Sequence, residues 1–197
     1  MSAGIGRDAG SDGAIDWQPA LADDKVRLQP LQPHDFAALH AVAADPLVWE
    51  QHPNRDRWQH DVFAKWFEGA LQSRGALLVF DAASDVLIGS SRFYDHDPAA
   101  RSVLVGYTFL ARSHWGRGYN PSLKALMLGY AFQHVDRVLF HVGEHNRRSR
   151  IAMERLGGVL CGALPVTYYG EVPTRNVVYR IDRGDWASAH PQAGPAS

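Results

Sequence analysis

The chain has 197 residues, 46% of them hydrophobic and 21% charged, with 20 basic and 21 acidic side chains and a formal net charge of −1. That length fits one domain with a real core, the composition is that of a soluble globular protein, and the near-neutral balance excludes a protein that coats nucleic acid or an anionic membrane through bulk charge. The lone cysteine, Cys161, excludes an internal disulfide framework and fits a reducing compartment; with no apolar run that could span a bilayer and no signal-peptide pattern, the expected location is the cytoplasm.

Residues 1–24 are rich in Gly, Ala, Asp and Ser without periodicity and are expected to be a mobile tail, as are residues 187–197. The domain is expected over 25–186. Lys25 to Pro30 alternates polar and apolar residues and predicts a first strand. Pro33-His34-Asp35 starts a helix carrying Phe36, Leu39, His40 and Val42, which stops near Asp45-Pro46. After a loop from Trp49 to Trp58, a second helix sets Val62, Phe63, Trp66, Phe67 and Ala70 on one face and ends near Gly75. Ala76 to Phe80 and Val86 to Phe93 read as a hairpin, and Asp95-His96-Asp97-Pro98 as a turn.

Val103 to Leu110 is a β-prone run. It passes through Trp115-Gly116-Arg117-Gly118-Tyr119 into a helix, with Asn120 as N-cap, Pro121 as first helical residue and an apolar stripe of Leu123, Leu126, Met127, Tyr130 and Ala131. Val138 to Val142 predicts another strand. Asn146 then caps a helix containing Ile151, Ala152, Met153 and Leu156, which Gly157 or Gly158 ends. Two strands, around Val159 to Leu164 and Val177 to Ile181, flank an aromatic turn. The order β-α-α-β-β-β-α-β-α-β-β is that of a single α+β domain with a mixed central sheet flanked by helices.

Strand, glycine loop and helix N-terminus together make an anion grip: loop amides converge, first-turn N–H groups are unpaired, and the helix dipole adds partial positive charge. Several anions could use it. The nucleoside-triphosphate string G-x-x-x-x-G-K-[ST] is absent. A dinucleotide loop would need a third glycine where Pro121 stands, although Glu144 could hold a ribose. His141 to His145 spells H-x-x-E-H, a zinc motif only when both histidines share a helix face; here His141 sits in a β run and Gly143 breaks the segment, so no metal is expected. Asn146 and Ser149 put a second helix N-terminus at the same edge of the sheet. A long ligand with a pyrophosphate at one end and an amide-bearing arm, the shape of coenzyme A, could lie along that edge and pair with the Val103–Leu110 strand.

The motifs Leu104-Val105-Gly106-Tyr107, Trp115-Gly116-Arg117-Gly118-Tyr119-Asn120, and Asn146 through Ser149 to Leu156-Gly157-Gly158 resemble the acyl-CoA core of the GNAT superfamily of N-acyltransferases. The branch they look most like contains the ribosomal-protein alanine acetyltransferases. The element order from about Lys25 to Ile181 is also similar to that family's.

The resemblance implies acetyl-CoA as co-substrate and no metal. It implies that backbone groups of Phe109 and Leu110 pair with the pantetheine arm, and that the amides of Gly116, Arg117, Gly118, Tyr119 and Asn120 bind the pyrophosphate. It also implies that Asn146 and Ser149 face the pantetheine and sulfur end. Asn120 and Asn146 could equally be plain helix caps, Arg117 a solvated surface residue, and Trp115 packing beneath the loop. Relatives often carry a glutamate on the strand and a tyrosine in the later helix; Leu104 and Met153 stand there. Ser149 is then the expected acid, or hydrogen-bond donor to sulfur.

An amine nucleophile must lose a proton before it attacks. Candidate bases are Glu50, His52, Asp95 and His96, each more often a surface residue than a catalytic one. Trp49, Trp58, Trp66 and Tyr94 suggest an acceptor region walled by rings, or simply core. The expected activity is acetyl transfer to a primary amine of a small molecule, an amino acid or a protein N-terminus, with no nucleic-acid or membrane partner and a homodimer left open. The alternatives are a non-catalytic acyl-CoA sensor and a transferase for another acyl group such as succinyl.

Overall fold

The computed structural model describes residues 14–167 and 172–191. Among them, eight strands form one sheet in the order β1-β2-β3-β4-β5-β6-β8-β7. The strands are β1 (Leu21–Ala22), β2 (Val26–Pro30), β3 (Ala76–Asp81), β4 (Leu87–Asp97), β5 (Ser102–Leu110), β6 (Arg137–Gly143), β7 (Val159–Val166) and β8 (Thr174–Asp182). The helices are α1 (Phe36–Ala43), α2 (His60–Gln72), α3 (Tyr119–Ala131), α4 (Arg147–Arg155) and α5 (Arg183–Ala189). All pairings are antiparallel except β5 with β6.

The sheet separates two apolar layers. Strand alternation sends Leu77 and Val79 to the side of α3 and α4, and Ala76 and Leu78 to the side of α1 and α2. On the first side Leu123, Met127, Leu128 and Ala131 of α3 meet Val103, Val105, Val138, Phe140 and Val142. On the second side Leu39 of α1 and Phe63, Trp66, Phe67 and Ala70 of α2 close over β3 and Phe109. The α2 set lies at i, i+3, i+4 and i+7, the spacing that makes one helical face apolar.

Every expected strand and helix is present in order, with differences that have local causes. Residues 14–24 are packed rather than a tail: Trp17 packs at a tilt against Phe93 (ring centroids 5.1 Å apart), and Leu21–Ala22 pairs with β2. At the other end α5 runs to Ala189. Residues 1–13, 168–171 and 192–197, which take in most of both expected tails and of the aromatic turn, lie outside the described residues. Asp95-His96-Asp97 continues β4 instead of turning, because Asp95 takes a positive φ of 49° and the register with β5 shifts there. The buried face of α3 holds Lys124 and Leu128, while Leu126 and Tyr130 are half-buried.

Candidate functional site

β5 and β6 pair at Ser102, Val103 and Leu104 against Arg137, Val138 and Leu139, and then part. Beyond Leu104, one edge of β5 stays on β4 while the other has no strand paired with it among the described residues. The Phe109 carbonyl faces β4: a Cβ on Gly89 would sit 2.1 Å from it. Alternation therefore turns Leu110 to the open edge, where its carbonyl accepts the Trp115 indole N–H at 2.9 Å. Trp115 thus packs beneath the loop. A bulge in β5, with Tyr107 at φ 53°, puts Gly106 and Tyr107 both on the α2 side.

The open edge runs into the turn before α3. Gly116 and Gly118 have φ of 72° and 84°, a region closed to most L-residues, and a Cβ on Gly116 would meet nothing within 4 Å. Gly118, not Asn120, is the N-cap, and the helix starts one residue earlier than the expected cap; Pro121 still forfeits no helical bond, since Ser122 is the first N–H to reach back, to the Gly118 carbonyl at 3.2 Å. The Tyr119 and Asn120 amides lie ahead of that bond. Arg117 is exposed, and its carbonyl accepts from Lys25 Nζ at 3.2 Å, a cation beside the turn that sequence reading assigned only to a strand. Below the turn the Tyr119 phenol donates to Asp81 at 2.9 Å, with His114 3.6 Å from the same carboxylate oxygen. That bond pushes the phenol's pKa up, while the Ala83 amide, then Tyr119, hold Asp81 below the ordinary carboxylate value.

Across the gap, Asn146 is buried and its side chain accepts the Ser149 N–H at 3.1 Å, the geometry of a helix cap. The Ser149 hydroxyl, half-buried, has no hydrogen-bond partner among the described residues. Arg148 reaches from α4 to the other arm: its guanidinium lies 3.9 Å from the Trp115 ring centroid, donates to the Val48 carbonyl at 3.2 Å and pairs with Glu50 at 3.3 Å. The loop before α2 therefore roofs the gap, and Pro53 of that loop fits against Gly143, where a Cβ would be 2.5 Å away.

The α2 side of the gap is aromatic. Trp49 and Trp66 are buried with their ring centroids 5.1 and 5.6 Å from that of Phe109, so two of the four expected wall rings are core, while Trp58 is exposed and Tyr94 half-buried. His52 is enclosed, with the Asn54 N–H on Nδ1 at 2.9 Å and Arg57 3.1 Å from Nε2; burial, then the Arg57 charge, holds it well below the usual imidazole pKa. His96 lies against Trp17, the rings tilted at 55° with centroids 5.1 Å apart. On the α3 side, Lys124 is 2% exposed, donating to Thr108 Oγ1 at 2.6 Å and Ser91 Oγ at 3.3 Å, and desolvation lowers its pKa to about 7. The sequence placed Lys124 between stripe positions and gave no signal for its burial.

Among the described residues there is no cluster of three side chains that could hold a metal ion, and no helix is long and apolar enough to cross a membrane. What is present is an open strand edge, a glycine turn whose outer face is free, and a second helix N-terminus facing them, an arrangement that fits an amide-bearing arm ending in a pyrophosphate.

Comparison with known proteins agrees. A GNAT acetyltransferase domain matches residues 25–159. A structure from Chromobacterium violaceum described as a probable GNAT-family acetyltransferase superposes with a TM-score of 0.75 at 22% identity, covering 94% of this chain and 98% of that one. Spermidine N-acetyltransferase from Vibrio cholerae, solved with CoA and spermine, gives 0.64 at 18% identity over 83% and 99% of the two chains. Mycobacterium smegmatis RimJ, solved with CoA-disulfide, gives 0.63 at 19% over 81% and 83%. These three likenesses show the fold, while the match along most of the chain shows the family: the protein belongs to the GNAT acetyltransferases and is an acetyl-CoA-dependent N-acetyltransferase.

Proposed function

We propose that the acetyl-CoA arm lies along the open edge of β5, with its pyrophosphate on the turn Gly116, Arg117, Gly118, Tyr119 and Asn120, and that a primary amine approaches from the α2 side. The parting of β5 from β6 after Leu104 carries this reading. An unpaired strand edge is a template for a ligand's amides, and it leads directly to two glycines at positive φ and the first-turn amides of α3. Lys25 and Arg117 supply positive charge beside the turn.

When bound, the coenzyme supplies an activated acyl thioester. The chain's part is to align it, to exclude water with the Val48–Pro53 loop, and to direct the bulged β5 backbone at the carbonyl oxygen, where an N–H stabilises developing negative charge. The Ser149 hydroxyl, without a hydrogen-bond partner among the described residues, is the donor for the departing sulfur. Asn146 orders that helix turn and faces the pantetheine.

The acceptor is a small amine, an amino acid or a peptide N-terminus; one structural relative is named a spermidine N-acetyltransferase and another is described as a ribosomal-protein-serine acetyltransferase. Thiol release from acetyl-CoA across a panel of spermidine, amino acids and alanyl or seryl peptides tests the assignment. Turnover on one class is expected. Tight coenzyme binding with no turnover on any acceptor would favour the sensor reading, and stronger thermal stabilisation by succinyl-CoA than by acetyl-CoA would favour another acyl group.

A further inference from the structure

We propose that His141 is the base that takes the proton from the acceptor amine, with the Tyr94 phenol forming the opposite wall of the reaction pocket. The inference rests on the acyl end of the coenzyme lying where β5 and β6 part.

The register places His141 there. The last parallel pair is Leu104 with Leu139, so two residues further on Gly106 and His141 are the first same-face residues on either side of the gap. Val138, Phe140 and Val142 pack toward α3, so His141 faces the α2 side from which the amine comes. Gly106 makes room for a second group: a Cβ at that position would be 3.0 Å from Tyr94 Cε1 and 3.1 Å from its hydroxyl oxygen. The Tyr94 ring of β4 therefore lies across β5 to reach the gap, and it stands nearly perpendicular to the His141 imidazole at 6.5 Å between centroids.

Three properties suit His141 to accept a proton. Its Nδ1 is buried without a hydrogen-bond partner among the described residues, which a bound amine or an intervening water would supply. Burial disfavours the charged ring and holds its pKa below the usual imidazole value. Asp95, next to Tyr94 on β4, works against burial and favours the imidazolium once it forms. On β4 the titratable groups that face His141 are Tyr94 and Asp95, while Arg92 on the same strand donates to the Trp66 and Gly69 carbonyls and lies over the Tyr107 ring. On β8, Arg180 stands two residues from Val178, the partner of His141, and is held on Asp182 at 3.0 Å. The other candidate bases are engaged elsewhere: Glu50 with Arg148, His52 with Arg57, His96 with Trp17.

The amine arrives as an ammonium. His141 removes one proton, and the nitrogen lone pair then forms the N–C bond as the C–S bond breaks. The electron pair of that bond goes to sulfur, which takes up the second proton shed by nitrogen, and the proton on His141 passes to solvent.

The test uses His141→Gln and Asp95→Asn with the fastest acceptor of the panel. His141→Gln is expected to bind acetyl-CoA within twofold of the parent while kcat/KM falls by roughly a hundredfold or more, the usual share of a general base. Its acid limb should give way to a steady rise with pH. Asp95→Asn should keep the limb but move it to lower pH, a readout that a purely structural role would leave alone. The proposal is overturned if His141→Gln keeps a third of the parent activity, if its loss of activity matches a loss of acetyl-CoA affinity, or if Asp95→Asn leaves the limb in place. Absence of turnover with every acceptor also overturns it. A parent protein that fails to bind acetyl-CoA would sink the coenzyme site as well, so the two failures are distinguishable.

Discussion

Lys124→Met should make the protein more stable, and the gain should disappear as pH rises. Lys124 has no carboxylate partner among the described residues; its ammonium meets only the Thr108 and Ser91 hydroxyls, and the Phe140 ring at 5.8 Å. Desolvation takes its pKa from 10.5 to about 7. A drop of roughly 3.5 pH units at ~1.36 kcal/mol each corresponds to a penalty on the order of 5 kcal/mol. The sign follows from proton counting. Between about 7 and 10.5 the unfolded chain holds a proton there that the folded chain does not, so parent stability climbs through that window and carries the full penalty below it. Methionine fills similar volume without charge. It gives up two hydrogen bonds, but Ser91 and Thr108 still bond each other at 2.8 Å and stay near the Gly106 carbonyl, so that loss is about 1–2 kcal/mol. The expected net gain is about 3 kcal/mol at pH 6.5, or ~6–12 °C in Tm for a chain of this length. Urea unfolding of both proteins at pH 6.5, 7.5, 8.5 and 9.5 measures it. A gap that does not change with pH, or a variant less stable at pH 6.5, would refute the reasoning.

Gly118→Glu should abolish acetyl-CoA binding, since a side chain at φ 84° strains the turn and sets a carboxylate beside Lys25 where the pyrophosphate would lie, while far-ultraviolet dichroism keeps the parent secondary structure because the strain is confined to the turn; calorimetry that finds parent affinity would remove the pyrophosphate assignment. Asn146→Ala should lower stability by about 1 kcal/mol through loss of the α4 cap and raise the apparent KM for acetyl-CoA, as steady-state kinetics will show. Trp17→Ala should lower Tm by several degrees in a thermal melt, about 2–3 kcal/mol for a large ring that packs near Phe93 and Tyr130.

The elements were readable wherever periodicity and caps coincided. The Phe63-Trp66-Phe67-Ala70 face, the Asn146 cap and the glycine turn each follow from local rules that tertiary packing did not override. Trp17 was not readable, because one ring in a Gly- and Asp-rich run carries no period; only the fold brings Phe93 and Tyr130 to it. Lys124 was missed for a similar reason, since its partners Ser91 and Thr108 come from two other elements. The proposed cofactor half of the site is a string of neighbours in sequence, Phe109 through Asn120, joined by Asn146 and Ser149. The proposed acceptor half draws on Tyr94, Gly106 and His141, which a strand register brings together and no motif announces. His141 was visible in the sequence only as the first letter of a zinc pattern that its strand position excludes.

The seam between β5 and β6 also has a mechanical side. Two panels of sheet, β1 to β5 and β6 to β8, meet through three rungs of backbone hydrogen bonding at one end, with Arg148 as a strap near the other. In the proposed complex the coenzyme's arm would extend that ladder from one panel, lying in the notch as a short surrogate strand. Ligand and hinge then share the same bonds. Opening the panels would release the coenzyme, and raising its concentration would stiffen the joint by mass action. The amides of 105–110 would report that stiffening as slower hydrogen exchange, well before any acceptor is present.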